Sequence, residues 1–166
     1  LALDSSGLVA SVAVVENDTL LAEYTVNYKK THSQTLLPML DEISNMTELD
    51  LSTIDAIAVA GGPGSFTGLR IGSATAKGLG LALEKPLISI PTTAAIAYNI
   101  WDTNKFVCPI MDARRNQVYT GVYCYTDHRL DTVWEQDTMS IEALAEGLNC
   151  LDHEVIFLGD GVAVYR

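Results

Sequence analysis

The sequence predicts an α/β protein built as two lobes, and three observations carry that reading. Short apolar runs with strand character alternate with stretches whose apolar residues recur at helical spacing. The order strand, Asp-containing turn, strand, strand occurs at the start of the chain and again after residue 105. Between the two occurrences lies the polar Asp102-Thr103-Asn104-Lys105, which reads as a boundary and divides the chain into lobes 1–101 and 102–166. With 166 residues, 48% of them hydrophobic, the chain can fill one sizeable core or two smaller ones.

In the first lobe, residues 1–3 read as a strand entering the turn Asp4-Ser5-Ser6-Gly7. Strands 8–15 and 20–26 follow on either side of the polar Glu16-Asn17-Asp18, completing a three-strand meander. Leu36, Leu37, Leu40 and Ile43 place a helix over 34–46, with Thr31 or Ser33 available as N-cap. Pro38 fits only if that helix begins near Thr35, where early N–H groups have no helical partner. Residues 54–60 read as a strand buried on both faces, and Gly61-Gly62-Pro63-Gly64 turns the chain into a helix over 65–83 that Pro86 stops. A strand at 87–90 and a helix at 92–101, with Thr92 or Thr93 near its N-cap, close the lobe.

The second lobe repeats the meander with strands 106–111, 117–125 and 130–136, the first turn being Asp112-Ala113-Arg114-Arg115-Asn116. Laid over the start of the chain, Asp4 falls on Asp112, and Val9-Ala10-Ser11-Val12-Ala13 falls on Gln117-Val118-Tyr119-Thr120-Gly121 without a gap. A helix at 141–148 and a strand at 155–158 follow, and the lobe reads as truncated at its C-terminus. This plan resembles the actin, Hsp70 and sugar-kinase superfamily, with its ribonuclease H-like lobes. In that superfamily two Asp-containing turns hold phosphates and magnesium across a cleft.

Lys and Arg total 10 against 21 Asp and Glu, a formal net charge of −11, so the surface repels phosphate backbones and leaves most of any grip on nucleic acid to another subunit. Cys108, Cys124 and Cys150 are odd in number and lack metal-ligand spacing, which makes them buried free thiols used for packing. No run reaches the roughly 20 apolar residues of a membrane span, and no signal peptide is legible. The expected home is the cytoplasm. The chain begins without Met and stops just after Gly159-Asp160-Gly161, so both ends read as incomplete.

The glycine-rich Gly61-Gly62-Pro63-Gly64-Ser65-Phe66-Thr67-Gly68-Leu69-Arg70 raises the question of a phosphate site, because bare backbone N–H groups at a helix start bind anions. It does not end in Gly-Lys-Ser/Thr, so it is no Walker A loop, and Pro63 and Thr67 occupy the glycine positions of a GxSxG elbow. Asp4 and Asp112 are the candidate cofactor residues. They could hold Mg²⁺ through water, or accept local backbone hydrogen bonds as carboxylates at turns do. His32, His128 and His153 form no helical metal pair, and His32 reads as a surface residue or one at the start of the first helix. No catalytic residue is assigned.

Gly68, Gly72, Ala76 and Gly80 recur every four residues along the second long helix, and Ala74, Gly78 and Ala82 form another small row about 200° away. Mid-helix glycine costs about 1 kcal/mol relative to alanine, so the rows call for a closely approaching backbone. The expectation is that the Gly68, Gly72, Ala76, Gly80 row meets another protein chain, together with Leu36, Leu40 and Ile43 of the first helix.

With Leu1-Ala2-Leu3-Asp4-Ser5-Ser6 at the start, Thr31-His32-Ser33-Gln34-Thr35-Leu36-Leu37-Pro38 on the first helix and Met111-Asp112-Ala113-Arg114-Arg115-Asn116-Gln117 in the second lobe, the glycine-rich string resembles the TsaB (YeaZ) family over residues 1 to about 161. More distantly it resembles TsaD, once labelled a glycoprotease. The resemblance implies a non-catalytic scaffold that pairs with a TsaD-type transferase. That enzyme places threonylcarbamoyl on the adenosine next to the tRNA anticodon. A TsaE-type ATPase would complete the assembly, ATP and metal would sit on the partner, tRNA would be touched only indirectly, and the chain would homodimerise when alone. TsaD-like proteins carry a His-x-x-x-His pair where this chain has His32-Ser33-Gln34-Thr35-Leu36, so the second ligand is missing. The rival readings are an ATP-dependent kinase-like enzyme using Asp4 and Asp112, a glycoprotease-like enzyme, and a homodimer with an unrelated binding role.

Overall fold

Alternation along Ala10-Ser11-Val12-Ala13-Val14 sends Ala10, Val12 and Val14 to one face of a strand, and in the computed structural model, which describes residues 1–28 and 32–165, all three are buried. That strand, β2 (Ala10–Glu16), lies between β1 (Ala2–Asp4) and β3 (Thr19–Val26), antiparallel to both. Asn17 and Asp18 close the β2–β3 hairpin with φ of 45° and 64°, the left-handed pair that a two-residue turn needs. β4 (Ile57–Gly62) adds to β1 in parallel, and β5 (Leu87–Pro91) completes a five-stranded sheet of order β3-β2-β1-β4-β5.

Leu3 sits beside Val12 and Val59 in the register, on the face covered by α1 (Leu36–Thr47) and α2 (Phe66–Leu83). α1 starts one residue after Thr35, so Pro38 falls in its first turn and removes no helical hydrogen bond. The cap is Thr35, without a side-chain bond; Ser33 lies in a short 3-10 turn (His32–Gln34), and Thr31 lies outside the described residues. α2 is capped by Ser65, whose hydroxyl oxygen accepts from the Gly68 N–H at 3.2 Å.

The expected interface residues are found inside. Leu36, Leu40 and Ile43 belong to the core beneath α1, and Gly68, Gly72, Ala76 and Gly80 form the buried row of α2. The close backbone that those glycines accommodate is the chain's own. A methyl on Gly68 would run into the Ser5 carbonyl oxygen, one on Gly72 into the Ser5 hydroxyl, and one on Gly80 into Leu87. The exposed small residues of α2 are Ala74, Gly78 and Ala82, and a Cβ added to Gly78 would meet nothing within 4 Å.

The chain divides into units Leu1–Ile90 and Pro91–Arg166, so the boundary lies earlier than the expected 101/102. The reason is α3 (Thr92–Ala97), shorter than its expected span, whose Ala97 packs with Val107 and Tyr123 of the second unit. Neither Thr92 nor Thr93 caps it: Pro91 holds that position, and the buried Thr93 hydroxyl bonds the Tyr123 hydroxyl at 2.7 Å and donates to Gln136 Oε1 at 2.9 Å.

In the second unit β6 (Phe106–Arg114), β7 (Gln117–Thr126) and β8 (Arg129–Ser140) form an antiparallel meander, and β9 (Val155–Leu158) pairs with β6 in parallel. The order β8-β7-β6-β9 repeats the β3-β2-β1-β4 order of the first sheet, which is what the sequence overlay implies. Ser140 caps α4 (Ile141–Asn149), which buries Leu144 and Leu148 against Cys108, Ile110, Val118 and Val122. A last turn of helix, α5 (Gly161–Val164), sets Gly161 against the Ile110 carbonyl. All three cysteines are free, but only Cys108 is fully buried; desolvation pushes its thiol up to about 11, against a smaller opposing effect of its contact with Thr120. Cys150 is exposed at the end of α4, contrary to the expected burial.

The two rows of α2 respond oppositely to the same added methyl. Gly68→Ala is expected to lose about 1–3 kcal/mol to overpacking against Ser5, whereas Gly78→Ala gains about 0.5–1 kcal/mol from helix propensity and a stiffer unfolded chain. Urea unfolding measures both, and equal effects at the two positions would contradict the assignment of inner and outer faces.

Candidate functional site

At the ends of β1 and β4 in the first unit, the turns Asp4-Ser5-Ser6-Gly7 and Gly61-Gly62-Pro63-Gly64 occupy the place where α/β sheets commonly bind ligands. Here they bind each other. Asp4 Oδ1 accepts from the Ser6 N–H at 2.7 Å, forming an Asx turn, and the Ser6 carbonyl accepts from the Ser65 N–H at 2.7 Å. The Ser5 hydroxyl donates to the Gly68 carbonyl at 2.9 Å, and Ser5 and Ser6 are both buried. Gly64 has φ of 157° and comes so close to the Ser6 carbonyl that any Cβ would collide with it. His32, in the 3-10 turn that precedes α1, lies 2.9 Å through Nε2 from the Gly7 carbonyl and fastens the far side of the first turn. The N–H groups of Ser6, Ser65 and Gly68 are therefore engaged within the protein. The Gly62–Pro63 bond is cis.

The second Asp-containing turn is also closed on itself. Asp112 Oδ1 accepts from the Arg114 N–H at 2.8 Å, the same bond that Asp4 makes, and Oδ2 pairs with the Arg114 guanidinium at 3.1 Å. Arg114, Arg115 and Asn116 have φ of 69°, 55° and 59°, so β6 and β7 are joined by a tight hairpin of left-handed residues without glycine. The Asp112 N–H donates to Asp160 Oδ1 at 3.2 Å. The Tyr165 hydroxyl donates to Asp112 Oδ1 at 3.4 Å and to the Gln117 carbonyl at 3.3 Å. Desolvation, followed by the charge of Asp112, pushes the Tyr165 hydroxyl up, which keeps it a donor. In both turns the aspartate carboxylate accepts from the N–H two residues on, within its own turn. Among the described residues, no group of three or more His, Cys, Asp and Glu is placed to hold a metal.

The outer sides of α1 and α2 have a different character. Leu81 is 83% exposed, Met46 77%, Phe66 74% and Leu37 52%, all on these two helices. Arg70, Ala74, Lys77, Gly78 and Leu81 make one exposed stripe of α2, and Arg70, Ser73, Ala74 and Lys77 join Gly61 and Phe66 in lining a cleft of about 450 Å³. The Arg70 guanidinium lies 4.9 Å from the Phe66 ring centroid. The exposed side of α1 carries Pro38, Asp41, Glu42 and Asn45. From the sequence, Leu37 enters only through the apolar spacing of the first helix, and Met46, Phe66 and Leu81 receive no site role. The available signal was that Leu37 and Met46 fall off the Leu36, Leu40, Ile43 stripe.

Comparison with known proteins identifies the family. Residues 19–166 match the model of the family described as "TsaD: tRNA N6-adenosine threonylcarbamoyltransferase". The tRNA threonylcarbamoyladenosine biosynthesis protein TsaB of Bacillus subtilis (strain 168) is 34% identical over 166 residues, covering 100% of this chain and 72% of the relative. The chain belongs to the TsaB family. TsaB of Escherichia coli (strain K12) is 32% identical over 97% of this chain and 71% of its own length. The solved structure of YeaZ from Pseudomonas aeruginosa superposes with a TM-score of 0.76 at 31% identity, over 85% of this chain and 66% of that one. This chain thus spans about seven tenths of the two TsaB relatives and just under two thirds of the solved YeaZ chain. The mixed α/β architecture with two sheets fits the actin-like, ribonuclease H-like fold. Among the described residues no helix is long and apolar enough to cross a membrane.

Because the Ser6, Ser65, Gly68 and Arg114 N–H groups are engaged within the protein, Mg-ATP is expected to bind the isolated TsaB-family chain no tighter than about 1 mM, or about −4 kcal/mol. Calorimetry checks this. A micromolar one-to-one site lost in Asp112→Ala would contradict the closed-turn geometry.

Proposed function

We propose that the chain is a non-catalytic scaffold subunit that pairs with a TsaD-type transferase through the outer sides of α1 and α2. The reaction served is threonylcarbamoylation of the adenosine next to the tRNA anticodon, carried out in the cytoplasm. The observation that carries this reading is the mutual closure of the two turns of the first unit, with Ser65 N–H on the Ser6 carbonyl and Gly64 against the same oxygen. A turn so used supplies rigidity to α2, and its Ser6, Ser65 and Gly68 N–H groups are engaged within the protein. Kinship with TsaB proteins, named for threonylcarbamoyladenosine biosynthesis, supplies the pathway.

The surface supports a partner. Leu37, Met46, Phe66 and Leu81 expose apolar side chains on one pair of helices, and the small Ala74 and Gly78 between them allow another helix to approach closely. A net charge of −11 leaves contact with tRNA to the transferase. In this reading ATP and metal belong to the TsaD-type subunit, a TsaE-type ATPase joins the full assembly, and two copies of this chain associate when the transferase is absent.

Co-expression with a tagged TsaD-type subunit tests the proposal. Wild-type chain is expected in the eluate, whereas Ala74→Trp and Leu81→Glu weaken capture at least about tenfold, as central interface substitutions do, with thermal unfolding close to wild type because both side chains are exposed. Capture unaffected by both substitutions would remove this face from the pairing, and a chain that hydrolyses ATP alone would favour the kinase-like reading.

A further inference from the structure

In the second unit three aromatic rings gather at one corner of the sheet. Tyr125 stands near the end of β7, and its cross-strand partner Leu130 packs with Ala97, Val107 and Tyr123, so both lie on the face that α3 covers. Tyr98, which ends α3, and Trp101 both meet the Tyr125 ring edge-on, with centroids 6.4 and 5.4 Å away and planes at 85° and 67°. Tyr98 and Trp101 are nevertheless 52% and 62% exposed. Beside them Asp102 Oδ2 lies 2.7 Å from His128 Nδ1, which ties the segment after α3 to the β7–β8 turn, and Asp127 is exposed on that turn. Desolvation pushes the Tyr125 phenol up, and the charges of Tyr98 and Asp102 add to the effect. The Tyr125 hydroxyl oxygen is buried without a hydrogen-bond partner among the described residues.

We propose that this corner is a docking site for a basic segment of a protein partner, with an arginine side chain laid against Trp101 and Tyr98 and its guanidinium directed at Asp102. The rings supply flat apolar area whose negative faces attract a cation, and the carboxylate at their border supplies the counter-charge. Arginine fits better than lysine because its planar fork both stacks on a ring and donates two N–H groups to one carboxylate. The chain makes the first half of such a contact internally, where the Arg70 guanidinium lies 4.9 Å from the Phe66 centroid. Among the described residues no lysine or arginine of the chain lies over the Tyr98, Trp101 or Tyr125 ring. Lys105 pairs with Glu154 at 3.2 Å, and Arg129, paired across the hairpin with Thr126, alternates onto the face opposite Tyr125. His128 takes one oxygen of Asp102, and the other has no partner among the described residues. A nucleic acid would bring its phosphates up to Asp102 and Asp127 on a chain of net charge −11, whereas a basic protein segment satisfies rings and acids together. Exposed tryptophan and tyrosine already held against a third ring have little side-chain freedom left to lose on binding.

The probe is a short glycine–arginine peptide blocked at both ends, with a citrulline counterpart that keeps its shape and removes its charge. Each is titrated into isotopically labelled full-length chain at low salt while the indole and ring resonances are followed. The arginine peptide is expected to shift the Trp101 indole signal with a dissociation constant at or below about 1 mM, while the Trp134 indole stays in place. The citrulline peptide, Trp101→Ala (read on the Tyr98 and Tyr125 rings) and Asp102→Asn are each expected to weaken binding at least about fivefold. Glu146→Gln, which removes an exposed acid of α4, leaves it unchanged. Trp101 and Asp102 are exposed, and dispersed amide resonances confirm that each variant folds; if Trp101→Ala does not, Asp102→Asn and the citrulline peptide carry the test. Equal binding of the two peptides overturns the site. So does a Glu146→Gln effect as large as that of Asp102→Asn, the mark of general attraction to an acidic chain. A Trp101 signal unmoved up to about 10 mM arginine peptide, tenfold above the expected constant, overturns it as well. If hexa-adenylate shifts Trp101 at lower concentration than the peptide, the rings are a nucleobase platform and the basic segment falls as occupant.

Discussion

The approach of the Ser5 backbone to α2 is the constraint from which the first unit follows. The carbonyl oxygen of Ser5 lies where a Cβ of Gly68 would be, and the Ser5 hydroxyl is bonded to the Gly68 carbonyl at 2.9 Å. Only glycine allows a helix to lie this close to the turn leaving β1. The contact fixes the rotation of α2 about its own axis, so Gly72, Ala76 and Gly80 are carried inward and Ala74, Gly78 and Leu81 outward. It also draws Gly64 and Ser65 against Ser6, whose carbonyl accepts from the Ser65 N–H at 2.7 Å.

Most elements of the fold were legible because local physics decides them. The alternation in β2, the position of Pro38 and the break at Pro86 are settled within a few residues of sequence. The orientation of α2 was not legible, because both of its rows are made of small residues and a 3.6-residue period separates rows without saying which lies inside. What decides is Ser5, more than sixty positions away in the chain. The limit of the first unit failed for a similar reason: Thr92–Ala97 is helical on local grounds, but its allegiance is set by Val107 and Tyr123. In the candidate site the aspartates and the glycine-rich string were legible as residues at turns, while their engagement with backbone groups and with Tyr165 required coordinates.

The two units show how far a repeated plan can diverge while its first turn keeps one bond. Asp4 and Asp112 each accept from the N–H two residues on, at 2.7 and 2.8 Å. Around that shared bond the first unit tightens with glycine against a helix, and the second tightens with three left-handed residues and the side chain of Arg114.

The stacking of Arg70 on Phe66 bears on how an association through α2 would be limited. A free arginine or lysine on a helix surface samples many rotamers, and fixing one costs about 0.5–1.5 kcal/mol on binding. With its guanidinium 4.9 Å from an aromatic ring centroid, Arg70 is restrained before any partner arrives. Lys77, one side of the cleft away, has no such support among the described residues. The two cations therefore differ in preorganisation: Arg70 has an aromatic ring to rest on in the free protein, and Lys77 has none among the described residues.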